Sequence, residues 1–241
     1  MRASLTEARS VLASFIEMDY TFQFGVAFES LPALMKAAIL TVELSFLAFW
    51  GGALIGLAGA AAKTFGGPVV SRIAQGYVVF FTNTPALLQI YLLYYGLPEV
   101  GIIMPSFICV LLGLTLNAGA YLTEIQRAGF LSVRQTEIEA AETLGMSLWQ
   151  QIRFVIVPHI AKTIYPPLAN MFLILILGSS MAAVFSVDEL TGTAINISTE
   201  TYRWLEMFTL VAGVYIVLTF VASIMLALVG RKFFRVKARI F

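Results

Sequence analysis

Long stretches without any charged residue most constrain what this chain can fold into. Five such runs cover residues 44–62, 73–98, 100–123, 163–187 and 207–230. A helix that crosses a bilayer needs about 20 mainly apolar residues, because its backbone polar groups must be bonded within the helix. The runs therefore predict an all-α integral membrane protein, a bundle of five transmembrane helices.

The composition excludes several other classes of protein. Apolar residues make up 59% of the chain and charged residues only 12%, too few to cover a water-soluble fold of this size. A net charge of +1 gives no reason to expect a nucleic-acid partner. The single cysteine, Cys109, excludes a disulfide framework and a cysteine-based zinc site.

The charge pattern divides the chain into three parts. Residues 1–33 predict an interfacial lead-in outside the membrane, since they lack the apolar core of a cleavable signal. Residues 34–230 form the transmembrane domain, with spans near 37–62, 73–98, 100–123, 163–187 and 207–230 and a long loop at 125–162. Residues 231–241 form a basic tail that could also contact membrane lipid.

The distribution of Lys and Arg predicts the orientation. With the N-terminus outside and the C-terminus in the cytoplasm, eleven basic residues lie inside and four outside, as the positive-inside rule requires. The inner residues are Lys63, Arg72, Arg127, Arg134, Arg153, Lys162, Arg231, Lys232, Arg235, Lys237 and Arg239. The loop at 125–162 is then cytoplasmic, and residues 188–206 are expected to form a loop outside.

This loop has the pattern of two short helices. Thr136 with Glu139 and Ser147 with Gln150 both fit a capping box, Gly145 lies where a helix can end in a left-handed residue, and Pro158 is expected to close the second helix. The loop is also rich in apolar residues: Leu144, Met146, Leu148, Trp149, Ile152 and Phe154. They predict either packing under the bundle or a docking surface for a cytoplasmic partner.

The same loop resembles the EAA loop of ABC importer permeases, the type I transmembrane domains of binding-protein-dependent transporters. That pattern is EAA, three residues, Gly, nine residues and I-x-L-P; here it is Glu139-Ala140-Ala141, Gly145 and Val155-x-Val157-Pro158. Other segments are similar to the polar amino-acid and opine permeases, among them Asn117 to Tyr121, Thr84 to Tyr91 and Ser179-Ser180. The chain departs from that pattern at Thr136-Glu137, where Gly-Gln is usual.

The resemblance implies a transport subunit of a bacterial inner-membrane importer. Its expected partners are two ATP-binding subunits, a second permease that is identical or homologous, and an external solute-binding protein. Glu139, Ala140, Ala141, Gly145 and Pro158 would couple the chain to the ATPase. The solute would be a polar amino acid or a related compound, with basic amino acids and opines among the candidates.

Polar residues inside the spans are the candidates for the substrate pathway, because exposing them to lipid is costly. They are Glu43, Thr84, Asn117, Ser179 and Ser180. Pro85, next to Thr84, is expected to break the helix of the second span. Hydrogen bonding between helices is the alternative for each. Glu43 could instead pair with Lys36 or reach headgroup water; as a pathway residue it would face a cationic solute near Ser179 and Ser180.

No catalytic, metal or cofactor site is expected. His159 is the only histidine, which leaves a Ser-His-Asp triad or a histidine-rich metal site incomplete. The chain has no phosphate-binding loop, so ATP would be hydrolysed on another chain. The alternatives are an independent secondary carrier, which usually has internal repeats that this chain lacks, a structural membrane subunit, and an intramembrane enzyme.

Overall fold

The computed structural model describes residues 20–234, and within this range the chain is helical. We number its helices as follows: α1, Phe24–Glu29; α2, Leu31–Phe65; α3, Pro68–Thr82; α4, Ala86–Glu99; α5, Ser106–Leu131; α6, Gln135–Thr143; α7, Leu148–Phe185; α8, Leu190–Thr201; and α9, Trp204–Phe234. The predicted lead-in up to residue 19 and the tail from residue 235 lie outside the described residues.

Four of these helices are long and apolar enough to cross a membrane: α2, α5, α7 and α9. The pair α3 and α4 passes the same test together but is bent by 102° at the break between them. If that pair counts as one broken span, the five predicted spans are confirmed. The all-helical membrane fold is confirmed as well.

The helix ends differ from the charge-free runs at several places. Helix α2 begins at Leu31 rather than near residue 37, and α5 begins only at Ser106 but continues to Leu131. The reason for the extension is a set of ion pairs, in which Glu124 binds both Lys63 and Arg127. Because these charges neutralise one another, a helix can continue past them at the membrane edge.

The predicted helix end at Pro158 is wrong. Helix α7 runs from Leu148 through Pro158 to Phe185, so the second short helix of the loop is continuous with the fourth span. A proline ring clashes with the carbonyl four residues earlier, here that of Phe154. The turn Ile152–Ile156 is widened into a π-helix, which accommodates the proline.

The core forms where α2 packs along α5. Gly52 and Gly56 face this contact, and a Cβ atom on them would lie 3.0 Å from Ala118 Cβ and 2.8 Å from Leu122 Cβ. Small residues let two helix backbones approach closely inside a membrane. The buried residues around this contact include Leu44, Ala48, Ile90, Val110, Leu114, Met171, Leu175 and Phe185.

Helix α8 was not expected, because residues 188–206 were predicted as a loop. It begins after Glu189, whose carboxylate accepts hydrogen bonds from the backbone N–H groups of Thr191 and Gly192. Helices α6 and α8 lie at opposite ends of α7. The bundle therefore has an α6 side and an α8 side, and the candidate site residues divide between them and the membrane interior.

Candidate transport pathway and coupling segment

The second span is broken at residues 83–85. Pro85 precedes the first residue of α4 with φ −61° and ψ 133°, a conformation outside the helical region, and it has no N–H to donate. Asn83 Nδ2 donates to the carbonyl of Val79 at 2.8 Å, and Thr84 Oγ1 donates to that of Phe80 at 2.8 Å. These side chains bond carbonyls at the end of α3, and the break predicted at Pro85 is confirmed.

A hydrogen-bonded network holds this break open. The Gln89 side chain is 4% exposed, and its Nε2 donates to Thr84 Oγ1 at 2.6 Å and to the carbonyl of Phe81 at 3.0 Å. Asn117 Nδ2 on α5 donates to Gln89 Oε1 at 3.1 Å and to the same Phe81 carbonyl at 3.1 Å. Two predicted pathway residues, Thr84 and Asn117, are therefore joined through Gln89.

Ser179 and Ser180 lie elsewhere, at the start of the 3-10 turn that ends α7. Their hydroxyls donate to the carbonyls of Ile176 and Leu177, each at 2.8 Å. In residues 20–234 no hydrogen bond links them to the network at the break. The turn meets α4 through apolar contacts instead, with the Phe185 ring centroid 5.1 Å from that of Tyr91 and 5.4 Å from that of Tyr94.

Glu43 is exposed on the outside of the bundle. Its neighbours Thr41 and Ser45 point the other way along α2, toward Glu189 and the carbonyl of Leu175. The structure therefore does not bring Glu43 to Ser179 and Ser180. An ion pair with Lys36 is also not among those formed within the described residues.

Glu189 is a buried polar group that the sequence did not single out as a site. It is 0% exposed, and its Oε2 accepts from Thr41 Oγ1 at 3.1 Å and Tyr215 Oη at 3.0 Å, while its Oε1 accepts the two N–H groups of α8. Burial raises the pKa of this carboxyl, and the four hydrogen bonds oppose the rise. One side chain thus connects α2, α8 and α9.

The segment between α5 and α7 contains the predicted coupling residues. Glu139, Ala140 and Ala141 lie in α6, where Ala141 is buried and the other two are exposed. Gly145 has φ +72°. Its N–H donates to the carbonyl of Glu142 at 2.8 Å, and that of Met146 donates to Ala141 at 3.1 Å. This pair of bonds is a Schellman motif, so the predicted turn at Gly145 is confirmed.

The start of α7 follows this turn directly. The predicted capping box of Ser147 and Gln150 is present, with Ser147 N–H donating to Gln150 Oε1 at 2.8 Å. The one predicted for Thr136 and Glu139 is wrong, because α6 begins at Gln135 and its N-cap is Arg134. Gln151 is buried and donates to the carbonyl of Met146 at 3.0 Å. The turn is therefore fixed to α7 by hydrogen bonds.

Large apolar side chains around this turn are not covered by the chain itself. Leu144 is 80%, Leu148 69% and Trp149 68% exposed, and Phe154 is exposed as well. Packing beneath the bundle, one of the two predicted explanations for these residues, is therefore wrong for these four. Large exposed apolar side chains that lie close together in the sequence around one turn indicate an interaction surface. We call Leu144, Leu148, Trp149 and Phe154 the apolar coupling face.

A broken transmembrane helix with a buried polar network, and a turn with exposed apolar residues at the end of the bundle, together define a membrane transport subunit. Residues 52–235 match the family of binding-protein-dependent transport system inner membrane components. The chain belongs to this family. It is a multi-pass inner-membrane protein, a permease subunit of an ABC importer.

Relatives with assigned names agree with this family. The chain is 33% identical over 218 residues to a probable amino-acid ABC transporter permease, YckA of Bacillus subtilis, which covers 90% of this chain and 96% of the relative. It is 32% identical over 213 residues to the glutamine transport system permease GlnP of Escherichia coli, covering 88% of this chain and 97% of the relative.

A solved structure shows the same fold. The crystal structure of an amino acid ABC transporter with histidines contains a chain that is 34% identical to this one, with a TM-score of 0.81. The similarity covers 88% of this chain and 100% of that chain. The chain therefore shares its fold with a chain of an amino acid ABC transporter.

Proposed function

We propose that this chain forms half of a translocation pathway for polar amino acids or related compounds. The observation that carries this is the Thr84–Gln89–Asn117 network at the break in the second span. Unwound backbone in the middle of a membrane is tolerated only where it lines a cavity or is buried in protein, and discontinuous helices commonly form the substrate sites of transporters. The relatives assigned to amino-acid transport support this class of solute.

A second permease subunit would supply the other half of the pathway. Asn83, Tyr121 and Asn170 carry polar groups at membrane depth and are exposed on this chain, which is costly if they face lipid. A second copy or a homologous chain would cover them or enclose water beside them. Glu43, Ser179 and Ser180 stay as pathway candidates, and Glu43 could face a solute only across that interface.

The ATPase would bind the apolar coupling face. The four exposed apolar side chains lie on and just after a turn that is fixed by hydrogen bonds. They therefore form a rigid surface, and such surfaces bind partners with little loss of conformational entropy. Glu139, Ala140, Ala141 and Gly145 shape that turn. Pro158 would contribute indirectly, because it follows the π-helical turn at the start of α7. Hydrolysis itself would take place on two separate ATP-binding subunits.

The α6 side of the bundle would face the cytoplasm, with the C-terminus on the same side and the N-terminus outside. The basic residues support this orientation, since Lys63, Arg127 and Arg153 lie near the α6 end of their helices, Arg134 is the N-cap of α6, and Lys162 lies in the half of α7 nearer to α6. On the outside, α8 and the start of α9 would meet the solute-binding protein.

Copurification tests this function. A tagged form of the chain, expressed and purified from its native membrane, should retain a P-loop ATPase. The reconstituted complex should take up a polar amino acid only when ATP and the solute-binding protein are present. The control is a chain in which Leu148 and Trp149 are replaced by Ser, which should insert but lose the ATPase. Uptake by the purified chain alone, without ATP, would instead identify a secondary carrier.

A further inference from the structure

An ion pair joins helix α6 to the beginning of α7. His159 Nδ1 lies 3.2 Å from Glu137 Oε2, and the two side chains are 31% and 36% exposed. Glu137 lies in the first turn of α6, and His159 lies one turn after the π-helical segment of α7. The pair therefore connects α6, which we call the coupling helix, to the fourth span. It does so in addition to the connection through the Gly145 turn.

Two features of the sequence mark the partners of this contact. His159 is the only histidine in the sequence, and Glu137 stands where the family pattern has an uncharged glutamine. The other side-chain link across the turn, from Gln151 Nε2 to the carbonyl of Met146, does not titrate. Among the described contacts between α6 or its turn and α7, the His159–Glu137 pair is therefore one that becomes stronger when the histidine is protonated.

The elements packed against α7, and α7 itself, carry charged groups of both signs. The basic ones are Lys63, Arg127, Arg134, Arg153, Lys162, Arg231 and Lys232, and the acidic ones besides Glu137 include Glu124, Glu139 and Glu142. Arg127 is engaged by Glu124. Glu137 is the carboxylate within ion-pair distance of His159 in the described part of the chain.

We propose that the His159–Glu137 pair is a proton-operated tether, which fastens the coupling helix to the fourth span when the cytoplasm becomes more acidic. The inference rests on the proposed role of α6 in coupling to the ATPase. Histidine side chains in peptides titrate near pH 6.5, close to the pH of a cytoplasm. The tether is a charge-assisted pair when the histidine carries a proton and a weaker neutral contact when it does not.

The expected effect follows from the mechanics of the segment. When α6 is fastened to α7, a displacement of α6 by the ATPase is transmitted to the fourth span through two connections rather than through the turn alone. Solute-stimulated ATP hydrolysis, divided by the basal rate, should therefore rise by about two- to fivefold between pH 8 and pH 6, the range expected for a partly exposed ion pair.

The test uses the intact reconstituted complex with four permease chains: the parent, His159→Gln, Glu137→Gln and the double variant. Both single variants should remove the rise at low pH, and the double variant should behave as either single one, because all three lack the same pair. Glu142→Gln, another exposed carboxylate of α6, should keep the parental profile. Dividing by the basal rate cancels the titration of the ATPase itself.

The inference is overturned if His159→Gln keeps the parental rise, or if Glu142→Gln loses it as well. If no variant and not even the parent binds an ATPase, the proposed function fails instead. Amide hydrogen exchange in residues 138–144 then still tests the tether. After correction for intrinsic exchange, the parent should be more protected at pH 6 than at pH 8, and His159→Gln should show equal protection at both.

Discussion

Gly145 is the residue whose backbone conformation most directly shapes the coupling segment. Its φ of +72° is in the left-handed region, and a Cβ atom at this position would meet nothing within 4 Å. A substitution by alanine therefore adds backbone strain of about 1–2 kcal/mol and no steric clash. The chain offers a matched control in Gly101, which has φ +84° and equally open surroundings in the loop before α5.

We expect Gly145→Ala to reduce transport and solute-stimulated ATP hydrolysis several-fold, because the strain loosens the turn that carries the apolar coupling face. Gly145→Trp should abolish both while the chain still inserts in the membrane. Gly101→Ala carries similar strain but lies at the α8 side, so ATP hydrolysis should stay stimulated. Equal losses in Gly145→Ala and Gly101→Ala would show that the effect is general instability rather than coupling.

Gln89 is the second residue whose change is informative. Gln89→Met keeps the length of the side chain but removes the amide that joins Thr84 to Asn117. Uptake of the solute should fall at least about tenfold, equivalent to about 1.4 kcal/mol, while the complex still assembles. The control Gln75→Met, on the exposed face of α3, should transport normally. If Gln89→Met takes up the solute at the parental rate, the network serves helix packing and not transport.

At the scale of helices, prolines show what the sequence could and could not predict. Pro85 was correctly expected to break the second span, and the Phe81 carbonyl, which lacks an N–H donor from Pro85, accepts hydrogen bonds from Gln89 and Asn117 instead. Pro158 was wrongly expected to end a helix, because nothing local in the sequence signals the π-helical turn before it. Pro166 and Pro167 also lie inside α7. The neighbours of a proline decide the outcome more than the proline itself.

Charge-free runs located the spans but not their ends. The criterion stops at the first charged residue, whereas Glu124 is tolerated because Lys63, far away in the sequence, binds it. Thr84 and Asn117 could be named as candidates from the sequence because they are polar residues inside spans. Their connection through Gln89 could not, because it depends on how α4 and α5 pack. The exposure of Glu43 likewise depends on which face of α2 meets Glu189, and the periodicity of an almost wholly apolar helix does not decide this.

Glu189 tests the connection between helices. Glu189→Ala leaves two backbone N–H groups and the hydroxyls of Thr41 and Tyr215 without their acceptor in a buried position. A buried unsatisfied group costs about 1–3 kcal/mol, so the midpoint of thermal unfolding in detergent should fall by several degrees. Asp188→Ala, an exposed neighbour bonded to Asn196, should unfold near the parental temperature.

Glu189→Gln should lie between these two variants in unfolding temperature. Its amide oxygen can still accept the two N–H groups of α8, and its NH₂ group can donate to hydroxyl oxygens that rotate to receive it. If Glu189→Ala unfolds at the same temperature as the parent, the carboxylate does not hold α2, α8 and α9 together.

For the whole molecule, the fifth span is the least covered part. Helix α9 is buried at Glu206, Met207 and Val211, close to its first turns, and most of its remaining length is exposed. Within residues 20–234 this length is left uncovered, and we expect lipid or the proposed second permease to contact it. The orientation of the bundle determines which leaflet each part meets, so it is the first global property to establish.

Reporter fusions measure that orientation. A fusion after Glu99 should be active as a periplasmic reporter and one after Phe241 as a cytoplasmic reporter, because eleven of the fifteen basic residues then lie inside, as the positive-inside rule requires. A third fusion after Leu144 should agree with the one at Phe241. Finding Glu99 and Phe241 on the same side would contradict the five-span arrangement.

The break in the second span also bears on how the chain is made. Residues 73–98 form a charge-free segment of 26 residues, about 39 Å as a straight helix and longer than the hydrocarbon core. The amide of Asn117, which secures the bend, is synthesised only afterwards. The ribosome therefore delivers an apolar segment to the insertion machinery before the bend has its partner, and the bent shape becomes secure only when the next span arrives beside it.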